Sequence, residues 1–94
     1  MKKAYLYIGS NNETHELEQV RAEEIIATVF EGFSAFRIAG YWKGQKEKTL
    51  KVEIVIEDNQ ELLVVDLAKK LAKELNQQAI MIEIVPANVL FIQA

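Results

Sequence analysis

Lys48-Thr49-Leu50-Lys51-Val52-Glu53-Ile54-Val55-Ile56-Glu57 alternates apolar and polar side chains over most of its length. A period of two marks a strand with one face in a core and the other outside it. Leu50, Val52, Ile54 and Ile56 are expected inward, with Thr49, Lys51, Glu53, Val55 and Glu57 outward. The period then changes. Asp58-Asn59-Gln60-Glu61 has the spacing of a capping box, and Val64, Leu67, Ala68, Leu71, Ala72 and Leu75 recur at helical intervals up to a stop at Asn76. Ile80, Ile82 and Ile84 restore the strand period over residues 79–85, and Pro86, which has no amide to donate, ends it.

The same order of elements precedes this stretch. Ala4, Leu6 and Ile8 alternate with Tyr5 and Tyr7 in a first strand, broken by Gly9-Ser10-Asn11-Asn12. Asn12 or Thr14 is placed to cap the helix that follows, with Glu13, Glu16 and Glu18 near its positive end. Ala22, Ile25, Ile26, Val29 and Phe30 form its apolar stripe down to about Glu31, and Gly32 is the expected stop. Leu17 and Val20 lie off that stripe, so either the helix starts late or its first turn touches something else. Residues 33–42 read as the second strand, with Phe36, Ile38 and Trp42 inward and Ala35, Arg37, Ala39 and Tyr41 outward. Gly40 suggests a bulge or bend, and the hairpin turn falls at Lys43-Gly44-Gln45-Lys46.

Strand–helix–strand twice over is the split arrangement of a ferredoxin-like βαββαβ sandwich, α+β in class: a four-stranded antiparallel sheet with two helices on one face. Val89-Leu90-Phe91-Ile92 adds a short apolar run, expected as a fifth, C-terminal strand. The 94 residues suit one domain, 1–94, with one core.

Composition narrows the function classes. A net charge of −3 and dispersed basic residues disfavour a dedicated nucleic-acid binder. Lys43, Lys46, Lys48 and Lys51 surround one turn and read as a solvated hairpin. The chain has no cysteine, which removes disulfides and thiolate chemistry. No stretch approaches the roughly 20 apolar residues of a membrane span, and Met1-Lys2-Lys3 leads into a strand rather than an export signal. The expected location is cytoplasmic, without membrane partners.

Two surfaces invite a ligand or partner. The sheet face away from the helices is expected to carry Tyr5, Tyr7, Arg37, Lys51, Glu53 and Met81, a mixture suited to an interface. Together with Val89 and Phe91 of the closing strand, it predicts a homo-oligomer such as a homodimer. Gly9, Ser10, Asn11 and Asn12 offer backbone amides and donors before a helix, which favours a small anion, although the Gly-Lys-Ser/Thr of a phosphate loop is missing. Trp42 reads first as a plug beneath the first helix; exposed, it and Tyr41 make a stacking wall for a planar ligand. His15, the only histidine, has no second histidine to complete a metal set and reads as solvated. No hydroxyl sits in a nucleophile context and no carboxylate pair has the burial acid–base work needs, so no catalytic residue, metal or cofactor is assigned.

Tyr5-x-Tyr7-x-Gly9 before a helix, then Gly40-x-Trp42 with a lysine- and glutamate-bearing hairpin, an alternating strand, a helix and a short closing strand resembles a group of small uncharacterised bacterial and phage proteins. They form a domain of unknown function. The resemblance implies a ferredoxin-like fold and no assigned activity, so it transfers no functional residue. Such relatives include lipoproteins, whereas this chain has no cysteine to lipidate.

The sequence therefore points to a non-enzymatic binding or regulatory module that self-associates and holds a small anionic or nucleotide-like ligand, as a phage or mobile-element regulator would. Two alternatives stand beside it. One is an inhibitor module whose acidic first helix (Glu13, Glu16, Glu18, Glu23, Glu24) meets a basic partner. The other is a small dimeric α+β barrel enzyme with a cavity between sheet and helices, using His15 or Tyr7. Against the enzyme stands the dense aliphatic filling expected from Leu6, Ile8, Ile54, Ile56, Leu67 and Leu71.

Overall fold

A computed structural model describes residues 1–94. The elements are β1 (Lys2–Ile8), α1 (Gln19–Ala27), β2 (Ser34–Trp42), β3 (Gln45–Ile56), α2 (Glu61–Glu74, entered through a 3₁₀ turn at Asp58–Gln60) and β4 (Met81–Pro86). The strands form one sheet in the order β2-β3-β1-β4 with every neighbour antiparallel. This is the βαββαβ arrangement that the alternating periods predict.

The core lies between the sheet and its two helices. Ala4, Leu6 and Ile8 of β1 lie directly opposite Ile54, Val52 and Leu50 of β3, with Ile56 following, and Val64, Leu67, Leu71 and Leu75 cover them from the α2 side. Ala22, Ile26 and Phe30 close the other half. All fourteen residues of this cluster are buried, so the layer that a barrel enzyme would hollow out is filled. Lys2 at the start of β1 pairs with Glu61 of α2 at 3.0 Å, fastening the helix entrance to the sheet.

Several local expectations are corrected. α1 begins at Gln19, and residues 9–18 are irregular. The Asn11 side chain accepts the amides of Glu13 and Thr14, the Thr14 hydroxyl accepts that of Glu16, and His15 adopts φ 60°. Short polar side chains thus offer the backbone a competing set of bonds, and the helix loses its first turn. This settles the placement of Leu17, which packs on the core from the loop, and of Val20, which is exposed. α1 also ends earlier, at Ala27, where the Thr28 hydroxyl and amide both return to the Ile25 carbonyl. At α2 the capping box sits one residue earlier, between Glu57 and Gln60, whose side chain accepts the Glu57 amide at 2.8 Å.

The phase of β2 is the reverse of that expected. Ala35 pairs with Val52 and Arg37 with Leu50, so Arg37 and Tyr41 lie on the helix side, while Phe36, Ile38 and Trp42 lie on the open side. Arg37 donates to Gln19 Oε1 of α1 at 2.6 Å and is removed from the candidate interface. Trp42 plugs nothing: it is 57% exposed. There is no bulge at Gly40, which pairs with Glu47 in an unbroken register. The turn is Lys43-Gly44, both at positive φ (51° and 78°), the conformation whose twist matches a two-residue hairpin.

The fifth strand does not form. After Pro86 the Ala87 amide donates to the Met1 carbonyl at 3.2 Å, extending the β4–β1 pairing by one residue. Residues 87–94 are irregular, with Leu90, Phe91 and Ile92 exposed. Phe91 borders a small hollow with Met1, Lys3, Phe33 and Val55, and Val89 is half-buried nearby in sequence.

Candidate functional site

β3 is twelve residues long and β1 only seven, and their pairing stops at Ile8–Leu50. Beyond that point β2 and β3 continue alone as a ribbon from Ile38–Thr49 to Trp42–Gln45. The ribbon, the turn after β1 and the loop before β4 enclose a cavity of about 540 Å³ on the open side of the sheet. That volume lies within the range of small-molecule sites.

The cavity brings together Gly9, Ser10 and Asn12 from the turn and Tyr41 and Trp42 from the ribbon, five of the six residues singled out from sequence. Asn11 is not among them. Its carboxamide organises the loop, accepting from Glu13, Thr14 and Asn76 and donating to Glu18. Tyr41 and Trp42 alternate in direction along β2, so they do not form one stacking wall. Trp42, on the open side with Tyr7 and Ile38, is the ring available to a ligand there.

The backbone amides of the turn are engaged within the chain. Gly9 donates its amide to Gln77 Oε1 at 3.1 Å, Ser10 to Glu47 Oε2 at 3.4 Å, Asn11 to the Glu16 carbonyl at 2.9 Å and Asn12 to the Asn76 carbonyl at 3.1 Å. All four donors are committed, and no helix starts behind them. The dipole argument for an anion therefore lapses at this turn.

A carboxylate takes the place of the anion. Glu47 is the only charged side chain lining the cavity, and no lysine or arginine forms an ion pair with it, although Lys43, Lys46 and Lys48 share its hairpin. Lys43 instead rests over the Trp42 ring, 6.0 Å from its centre. Two glycines admit this arrangement. A β-carbon at Gly9 would stand 2.7 Å from Glu47 Oε1, and one at Gly40 would stand 2.2 Å from Thr49 Oγ1. The rest of the lining is a rim of hydrogen-bonding groups (Ser10, Asn12, Thr49, Gln77, Gln78) with apolar Ile38, Ile80 and Met81. Thr49 is nearly buried, and Ser10 donates through Oγ to the Lys48 carbonyl at 3.1 Å.

Sequence reading missed Glu47, Thr49, Gln77 and Gln78. The signal for the first was present: with Lys43-Gly44 as a two-residue turn, counting outward sets Gly40 opposite Glu47. Of the expected interface, Tyr5, Tyr7, Lys51, Glu53 and Met81 share the open face. Of the acidic residues expected on the first helix, Glu23 and Glu24 lie on α1. Glu13 and Glu16 lie in the loop, and Glu18 and Glu74 flank Arg21 at 3.8 and 2.9 Å.

No family model matches the chain, and no curated protein matches its sequence. Solved structures do share its fold. A phage SAM lyase in the apo state matches with a TM-score of 0.71 at 18% identity, over 88% of this chain and 78% of that one. A DUF3240 family protein from Shewanella baltica OS155, itself of a domain of unknown function, matches with a TM-score of 0.71 at 14% identity, over 99% and 97%. At these identities the likeness is one of fold, and fold alone does not carry function. No helix is long and apolar enough to cross a membrane.

Proposed function

We propose that this chain is a cytoplasmic, self-associating binding module whose cavity holds a small adenosyl-type ligand bearing positive charge. The observation that supports the reading is the Glu47 carboxylate, without an ion-pair partner and the only charged group in a cavity that Trp42 also lines. A carboxylate in a recess repels anions and attracts cations, and an aromatic face adds attraction for a cation or a stacked base. The ligand is therefore nucleoside-like, as the sequence suggests, but cationic where an anion was expected. The rim carboxamides and hydroxyls suit the hydroxyls and ring nitrogens of a nucleoside.

The phage SAM lyase that shares the fold supplies a concrete candidate, since SAM joins an adenosyl group to a sulfonium cation. Titration calorimetry with SAM, its neutral thioether counterpart S-adenosylhomocysteine and ATP tests the reading. SAM is expected to bind about tenfold more tightly than the thioether, a difference of about 1.4 kcal/mol. Glu47→Gln is expected to erase that preference. ATP binding more tightly than SAM, or no binding of any of the three, refutes it. Chromatography of the recovered SAM separates a binder, which returns it intact, from an enzyme, which consumes it.

A further inference from the structure

Cross-strand register arranges the open face in rows. Glu53, Tyr5 and Glu83 form one row across β3, β1 and β4; Phe36, Lys51, Tyr7 and Met81 form the next, beginning at β2. Lys51 lies among three rings, 4.7 Å from the centre of Tyr5 and 5.7 Å from those of Tyr7 and Phe36, with no carboxylate in ion-pair range. The neighbouring Glu53 is taken by Lys3 at 3.7 Å. Glu83 has no cation either, and its only side-chain bond is a long one, accepted from the Tyr7 hydroxyl at 3.4 Å. β1 stands between the two, so their backbones lie two strand spacings apart, roughly 10 Å. Around them Phe36 is 41% and Met81 61% exposed.

We infer that this face docks a second copy of the chain in a two-fold arrangement that sets Lys51 of each protomer against Glu83 of the other. An isologous contact needs a self-complementary patch, and one unpaired charge of each sign on this face supplies that complementarity. A two-fold axis in the interface plane, midway between the two residues, carries each onto the other's position and forms both ion pairs at once. The exposed Phe36 and Met81 and the two tyrosines supply the apolar and aromatic contact around those pairs. Tyr7 and Met81 also line the cavity, so the docked copy overhangs its mouth. The inference deepens the self-association in the proposed function by naming its surface and symmetry.

A charge-swap series followed by sedimentation equilibrium tests it. The wild-type chain is expected to be dimeric at about 100 µM, with a mass that depends on concentration. Lys51→Glu and Glu83→Lys, each folded by circular dichroism, are expected to weaken self-association at least about tenfold by opposing like charges. The double variant Lys51→Glu/Glu83→Lys restores both pairs with their signs exchanged and is expected to recover dimerisation to within about threefold. A wild-type monomer at that concentration, single variants that dimerise as tightly as the parent, or a double variant no better than the singles each overturns the inference. Ligand binding is read separately by calorimetry, so a monomer that binds SAM refutes this interface alone, and a dimer that binds nothing refutes the ligand alone.

Discussion

Replacing Gly40 by alanine puts a methyl group 2.2 Å from Thr49 Oγ1 and 3.1 Å from Thr49 Cβ. Thr49 cannot easily turn away, because it is β-branched, 6% exposed and held in the ladder opposite Ile38. Overpacking of this kind costs about 1–3 kcal/mol. Against it stands the gain of about 0.5–1 kcal/mol that alanine brings over glycine in an extended backbone. Taking the middle of each range, the net expectation for Gly40→Ala is a loss of about 1 kcal/mol. Thr49→Ala alone removes a hydroxyl whose bond to the Glu47 carbonyl is 3.5 Å long, and its cost is expected at about 0.5–1 kcal/mol. In the double variant the clashing oxygen is gone and only the 3.1 Å contact with Cβ persists. It is expected to be more stable than the sum of the singles by about 1 kcal/mol. Urea unfolding followed by circular dichroism measures the cycle, and 1 kcal/mol corresponds to about 4–8 °C in Tm for a domain of this size. A Gly40→Ala chain as stable as the parent, or strict additivity in the cycle, would show that the glycine is not there to admit Thr49.

Two further expectations follow from the backbone. Gly44→Ala is expected to cost about 1–2 kcal/mol in the same unfolding assay, because its φ of +78° places a β-carbon in the left-handed region; Gly44→Asn is expected to cost less. Removing residues 88–94 is expected to lower Tm by only a few degrees, about 1 kcal/mol or less, because Leu90, Phe91 and Ile92 are 82%, 73% and 85% exposed.

The fold was readable where one face of an element is buried and the other wet. β3 and α2 meet that condition: Leu50, Val52, Ile54 and Ile56 and then Val64, Leu67, Leu71 and Leu75 lie in the core, with Ala68 buried beside them and Ala72 half-buried. β2 does not. It is an edge strand with apolar residues on both faces, so alternation cannot choose between Ala35 and Phe36 as the inward neighbour. The choice was made by the register of the Lys43-Gly44 turn, and with it went the sides of Arg37 and Trp42. The late start of α1 was hidden for a different reason: Asn11 and Thr14 are good caps, but here they cap turns of their own loop. The run Val89–Ile92 carries strand propensity without a ladder: the β4–β1 pairing reaches only to Ala87 and Met1, and the residues after it are irregular. At the cavity, the turn and the tryptophan were legible as chemistry. The carboxylate between them was not, because Glu47 sits in a lysine-rich hairpin that reads as solvent-exposed.

The lone ribbon at the end of β2 and β3 separates two demands on the same sheet. Its ladder bonds run to one neighbour only, and Ser10 is the peg that ties it down, through the Lys48 carbonyl and the Glu47 carboxylate. Cooperative stability resides in the four-stranded part, whereas one wall of the recess is a ribbon that Ser10 fastens. Exchanges at Ile38, Trp42 or Glu47 reshape the wall of the recess while the aliphatic layer beneath stays intact. The architecture thus keeps the side chains of the ribbon apart from those that hold the fold together.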